Sequence, residues 1–352
     1  MLKFIIKRVL LLLPTLWGVV TLLFIIFALL GDPSRMLVGQ RVDAQTLASI
    51  RKELGLDKPL WIQYFLYLKD LSPVDYLDAF QLQSGVYYYW APLGTSPKGA
   101  WVIKLPYLRR SYQNGKSVAS LYLEHLPATL LLSFSSLILA ALVAVPMGLL
   151  AAYYRFSFLD YFLSIGAVIG VSTPSFFAAI FFLWFFAIYA HSWTGLNVCG
   201  YIKSESIWGN SIVWHWQNLI LPTLTLGLRP MAILFQLMRG AATQVLQQDY
   251  IRTARSKGIR EVFVMLRHVF PNAFSPVFTA LSGWLAALLS GSFFVEYIFG
   301  WPGIGKWTVD ALHANDYPIV LGSCIFTAFL FMIITCINDL FLAYIDPRIR
   351  LL

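Results

Sequence analysis

Residues Pro127 to Tyr154 read PATLLLSFSSLILAALVAVPMGLLAAYY, a stretch without Asp, Glu, Lys or Arg and longer than the ~20 apolar residues that a helix needs to cross a hydrocarbon core. A helix on the surface of a soluble domain would carry a polar stripe over that length. Four more stretches are equally free of charge: Val9 to Leu30, Tyr161 to Ala190, Val269 to Val295 and Ile319 to Asn338. A sixth, Asn218 to Met238 (NLILPTLTLGLRPMAILFQLM), is interrupted only by Arg229; one Arg at the bilayer centre costs ~2.5–3.5 kcal/mol on insertion scales, which an apolar helix tolerates. Every backbone amide in hydrocarbon needs an internal partner, so the runs are expected to be helices. Strand-length alternating segments, the mark of a barrel, are absent. The expected fold is an all-α integral membrane protein with six spans.

Composition agrees. The 352 residues are 59% hydrophobic and 12% charged, about half the ~25% charge of a soluble domain, and the mean hydropathy is +0.69. Disorder and a secreted disulfide scaffold are excluded: Cys199, Cys324 and Cys336 are too few for a framework, and the last two share one apolar run. The net charge of +9 is explained by topology. With the N-terminus inside, six spans place Lys3, Lys7, Arg8, Arg155, Arg239, Arg252, Arg255, Lys257, Arg260, Arg267, Arg348 and Arg350 on the cytoplasmic side, against Asp160, Asp249, Glu261, Asp339 and Asp346. That asymmetry predicts that both termini are cytoplasmic, and it leaves no clustered basic face for nucleic acid. Lys3, Lys7 and Arg8 also suit a signal peptide, but the apolar run after them exceeds a signal core and no small-x-small cleavage site follows, so a retained anchor is expected.

Residues 1–30 thus form the N-terminus and first span, and 31–126 a large external segment. Turn signals at Gly31–Ser34, Leu71–Pro73 and Ser96–Gly99 punctuate the latter. Within it, Ala44 to Leu54 has helical spacing, and Val86 to Trp90 and Ala100 to Ile103 suit short strands. Residues 127–352 form the core, with an inside turn at Arg155 to Asp160 and an external loop at His191 to Gln217. Trp193, Trp208, Trp214 and Trp216 in that loop read as an interfacial aromatic belt, or alternatively as a partner surface. Small residues recur at i, i+4 in Ala144/Gly148/Ala152, Gly166/Gly170 and Gly283/Ala287/Gly291, which predicts close helix approach. Pro146, Pro174, Pro222, Pro230 and Pro276 predict kinks.

Catalytic signatures are weak. Gly300 to Lys306 has the G-x4-G-K spacing of a phosphate loop, but Trp307 stands where Ser or Thr would hold magnesium, and the stretch follows an apolar helix rather than a strand. His125, His191, His215, His268 and His313 lack metal-ligand spacing, and neither a nucleophile elbow nor a carboxylate pair is visible. No enzyme activity, metal or cofactor is expected on this chain.

Residues 239–268 break the pattern of short inside turns. DYIRTARSKGIREVFVMLRH (Asp249 to His268) is basic and helix-forming on both sides of Gly258, which permits the positive φ of a chain reversal. Tyr250, Ile251 and Ala254 are expected on one stripe, flanked by Arg252, Arg255 and Lys257. Such a hairpin suits a protein partner; a helix lying on anionic lipid is the other reading.

This segment is similar to the cytoplasmic loop of binding-protein-dependent ABC importer permeases, E-A-A-x3-G-x9-I-x-L-P. Only Ala254, Gly258 and Pro271 agree literally with that consensus. Asp249 to Gly258 does match the D-Y-[IV]-R-T-A-R-x-K-G form of the dipeptide and oligopeptide branch, which also handles nickel. Further landmarks stand in order: Gly31-Asp32-Pro33, Leu54 to Pro59, Leu126 to Leu130, Pro174-Ser175-Phe176, Leu221 to Leu226, Trp301 to Gly305, Asp316-Tyr317-Pro318 and Asp346 to Ile349. Two departures are an apparent insertion near residues 75–105 and Leu108-Arg-Arg-Ser-Tyr-Gln in place of D-x-G-x-S.

The resemblance implies a six-helix type I ABC importer transmembrane domain in the bacterial inner membrane. It further implies a second homologous permease, two ATP-binding subunits carrying ATP and Mg, and an extracytoplasmic substrate-binding protein. Asp249, Tyr250, Ile251, Arg252, Thr253, Ala254, Arg255, Lys257 and Gly258 would then form the ATPase-coupling segment. Short peptides are the leading cargo, with nickel or another small peptide-like solute as the alternative. Candidate path residues are the intramembrane polar groups Ser172, Thr173, Pro174 with Ser175, Arg229, Ser290 and Ser292, because such groups face a bundle interior or a water cavity; structural pairing of Arg229 stays open. A secondary transporter or channel would be expected to show internal repeats or several intramembrane charges, and a mere scaffold leaves the hairpin without a use.

Overall fold

The computed structural model describes residues 2–29, 57–78, 89–96, 99–205 and 212–345. The helix expected at Ala44 to Leu54, the turn at Gly31-Asp32-Pro33, Trp208 and Asp346 to Ile349 lie outside the described residues. Contacts divide the chain into two compact units: Leu13–Glu124 with Thr308–Phe326, and Met1–Leu12 with His125–Trp307 and Thr327–Leu352.

In the first unit, the second half of α1 (Leu2–Leu29) packs on α2 (Leu60–Leu71). Val20 and Tyr67 are buried in one apolar cluster with Ile325, and the Thr21 and Tyr64 hydroxyls are hydrogen-bonded at 2.7 Å. Strands β1 (Val74–Asp78), β2 (Tyr89–Ser96) and β3 (Gly99–Lys104) form an antiparallel sheet in the order β1-β3-β2. Period-two alternation turns Asp75 and Leu77 inward opposite Val102 and Ala100. Lys104, also turned inward, donates to Asp75 Oδ2 at 2.7 Å, so neither buried charge is left uncompensated. The described residues are mostly helical, as the all-α expectation has it, and their strands are confined to this sheet and a two-stranded one, β4 (Lys203–Glu205) with β5 (Ile212–Trp214). The strand expected at Ala100 to Ile103 is central; of the one expected at Val86 to Trp90, residues 86–88 lie outside the described residues and Tyr89 and Trp90 are in β2.

The second unit is built around α7 (Ile220–Leu246). Ala232, Phe235 and Met238 pack with Ala140, Ala144 and Ala151 of α3 (Val118–Tyr153) and with Ala167 of α4 (Phe158–Ser172). The small-residue rows sort into two kinds. A methyl on Gly148 would lie 2.7 Å from Met238 Cβ, and one on Gly170 3.2 Å from Ala232 Cβ, so these glycines set how closely α3 and α4 approach α7. Gly166 and Gly283 meet nothing within 4 Å.

Five helical stretches are long and apolar enough to cross a membrane: Leu10–Leu29, Val118–Tyr153, Trp216–Leu246, Glu261–Leu289 and Tyr317–Phe341. The expected single span from Tyr161 to Ala190 is bent: α4 meets α5 (Ser175–Phe182, prolonged by a π-helical turn to Tyr189) at 109°. The cause is Pro174, which has no amide to donate and whose ring pushes Thr173 into extended backbone (ψ 122°). Counted as one span, the bent pair makes six. The remaining elements are α6 (His191–Thr194), α8 (Asp249–Ser256), α9 (Glu261–Val264), α10 (Phe270–Gly291), α11 (Phe293–Ile298), α12 (Ile304–His313) and α13 (Tyr317–Ile345).

Candidate functional site

The hairpin between α7 and α10 is tighter than its sequence suggests. Helix α7 continues to Leu246, eight residues into the expected loop, and the chain then leaves through Gln248 in extended conformation to start α8. Ile251 is fully buried and Ala254 nearly so; they belong to the same apolar cluster as Ala151 and Ala152 of α3 and Val264 of α9. Tyr250, expected on the same stripe, is instead exposed, because one residue along a helix turns the side chain by about 100°. The apolar stripe of α8 is therefore covered by its own chain, and the surface offered outward is Tyr250, Arg252, Thr253, Arg255 and Lys257.

Gly258 ends α8 with φ +75°, its amide bonded to Arg255 O at 2.9 Å, and nothing lies within 4 Å of where a side chain would begin. Beyond it, Glu261 in the first turn of α9 grips Arg255 through Nε at 3.2 Å and Nη2 at 2.5 Å. That grip holds the Arg255 guanidinium above its usual range and locks the two arms of the hairpin together. Arg252 reaches Asp249 at 3.6 Å, a pair so exposed that it contributes little.

Arg239, expected in the loop, lies in the last turns of α7 and is bound to Asp160 at the start of α4, Nε to Oδ1 at 2.5 Å and Nη2 to Oδ2 at 2.8 Å. Asp160 is wholly buried and also accepts from the Phe156 amide at 3.0 Å. The sequence offers a signal for this pair: one acid at the edge of one span and one base at the edge of another, the simplest partners for each other.

Of the path candidates, the fold brings three together. Thr173, Ser175 and Arg229 line a cavity of about 380 Å³ between α4, α5, α7 and α10, with Thr225, Trp284 and Leu288. Ser172 and Pro174 are exposed at the bend, and the side chain of Ser290 lies outside the described residues. Ser292 is not among the residues that line this cavity; it is buried and donates to Glu296 Oε1 at 2.7 Å. Polarity alone cannot tell a hydroxyl that faces a cavity from one that satisfies a buried carboxyl.

Glu296 itself was not legible as a functional or structural group. It is wholly buried, and its Oε2 accepts from the Gly305 amide at 2.6 Å and the Lys306 amide at 3.3 Å, the opening turn of α12. Burial raises the Glu296 carboxyl above its ordinary range, although Ser292, Thr129 and both amides pull the other way. Trp301 donates to Ala128 O at 2.9 Å, the Ile304 amide to Thr129 Oγ1 at 2.9 Å, and His125 stacks on Trp307. The phosphate-loop-like glycines thus wrap around the chain's own acid.

Comparison with known proteins decides the family. Residues 144–351 match the inner membrane component of binding-protein-dependent transport systems, and residues 1–81 match the N-terminal part of such membrane components. The chain belongs to this family. The permease is accordingly a multi-pass inner-membrane protein and a transport subunit. It is 34% identical, over 94% of its length and 93% of the relative's, to a protein of Escherichia coli K12 named "Probable D,D-dipeptide transport system permease protein DdpB". It is 31% identical to the dipeptide transport system permease protein DppB of Alkalihalophilus pseudofirmus, over 99% of the permease and 100% of that protein. It is 33% identical to the glutathione transport system permease protein GsiC of Salmonella typhimurium, over 99% of both.

Proposed function

We propose that this permease carries short peptides through the bacterial inner membrane as one subunit of an ATP-driven importer. Its partners are a second permease, two ATP-binding subunits that hold ATP and Mg, and an extracytoplasmic substrate-binding protein; this chain itself performs no catalysis. The names of its relatives support peptides, and glutathione, itself a peptide-like solute, falls in the same class; nickel is the remaining alternative cargo. Both termini and the hairpin face the cytoplasm.

The observation that carries the reading is the two-faced build of α8. Ile251 and Ala254 anchor the helix in the permease core, while its polar face is offered outward on a hairpin held by Arg255 and Glu261. A short helix fixed to its own bundle transmits a push from an ATPase cleft instead of deforming, so closure of the ATPases would rock the helices between inward-open and outward-open states.

Gly258→Trp tests this. A Cβ added there meets no atom of the permease within 4 Å and the positive φ costs only about 1 kcal/mol, so the protein is expected to insert and fold, yet to copurify poorly with the ATP-binding subunits or to hydrolyse ATP without uptake. Normal copurification together with normal uptake would overturn the assignment.

A further inference from the structure

The cavity between α4, α5, α7 and α10 contains a charge that no other described residue answers. Arg229 lies well inside the candidate span Trp216–Leu246, exposed on the cavity wall, and it makes no ion pair or hydrogen bond among the described residues. Ten residues further along the same helix, Arg239 is neutralised by a buried aspartate. An unpaired guanidinium at membrane depth is costly and persists where it faces water or meets an anion. No acidic residue lines the cavity among the described residues. The Thr173 and Thr225 hydroxyls donate to the carbonyls of Ile169 and Leu221 in their own helices, which leaves their oxygens as acceptors, and Ser175 Oγ has no partner among the described residues. The remaining wall, including Trp284 and Leu288, is apolar. A volume of about 380 Å³ is within the usual range for small-molecule sites.

We propose that this cavity is a transit site for cargo that ends in a carboxylate, with Arg229 as the residue that recognises that group, the Ser175 hydroxyl as a second donor and the apolar wall accommodating a side chain. Guanidinium and carboxylate match in a fork geometry that an ammonium cannot reproduce. The inference rests on the peptide reading above and assigns Arg229 a specificity role within it.

The test uses the whole importer in proteoliposomes, with a short peptide and its C-terminal amide as cargoes. Each rate for Arg229→Gln is divided by the wild-type rate for the same cargo, which cancels any preference of the binding protein. Equilibrium dialysis of each labelled peptide against the complex without binding protein gives the second readout. Arg229→Gln is expected to lower free-acid uptake and binding by about tenfold or more, the size of one lost charge-assisted hydrogen bond, and to leave the amide within twofold. Arg229→Lys is expected to recover part of the free-acid rate. Equal losses for both cargoes, or an unchanged free-acid rate, would overturn the carboxylate site while leaving peptide transport intact. Failure of the wild-type complex to move or bind either peptide would overturn the peptide reading, and the inference with it.

Discussion

Two glycine-bearing turns of the same unit use glycine for opposite reasons. In the hairpin at residues 248–261, Gly258 adopts φ +75° with open space around it, so the residue is there for its backbone. In the segment at residues 292–306, Gly305 is there for its missing side chain: a methyl would lie 2.5 Å from Phe293 Cα and 2.8 Å from Glu296 Oε2. One turn presents a surface; the other closes over a buried acid. Glycine spacing alone does not separate the two uses, and that is why the second resembles a phosphate loop. Its backbone amides do hold an anion-forming group, but that group is carried by the preceding helix.

The comparison is most readily broken by alanine at both glycines. Gly305→Ala is expected to cost about 3 kcal/mol, because the obstacle is backbone and cannot rotate away, whereas Gly258→Ala should cost about 1 kcal/mol for the left-handed conformation alone. Thermal unfolding of the purified permease in detergent measures both; similar losses would erase the distinction. The anchored face of α8 comes next. Ile251→Ala is expected to remove about 2 kcal/mol by opening a cavity between α8 and α3, with ATPase coupling falling alongside stability; Tyr250→Ala, on the outward face, should lower coupling and leave the unfolding temperature within about 2 °C of wild type.

The smallest effect concerns pH. Burial raises the folded-state pKa of Glu296 above its unfolded value, so its contribution to stability is complete below the unfolded pKa and fades as pH rises through the folded one. Glu296→Gln is expected to flatten that decline in a profile of unfolding temperature against pH. An unchanged slope would show that another group titrates there.

The spans were legible because membrane burial selects composition over a whole helix, and composition can be read without knowing the neighbours. The bend at Pro174 was half legible: proline marks a break, but the 109° angle depends on what α4 and α5 pack against. The hairpin was legible as helix, turn and helix, since propensity and glycine act locally. Its orientation was not, because Tyr250, Ile251 and Ala254 are all compatible with one broad stripe until α3 and α9 cover two of them. Arg229 and Arg239 illustrate the same limit. Each is a lone base in or beside one apolar helix; Asp160, 79 positions away from Arg239 in sequence, answers only one of them.

Sequence by itself determined the solvent of this protein, the number of its apolar runs, the position of its one sizeable basic hairpin and its family, since each is set by residue type over short distances. Tertiary structure alone decided which glycines touch and which charges are satisfied. It also decided which hydroxyls share a cavity, because helices that pack side by side bring together residues that no periodicity relates.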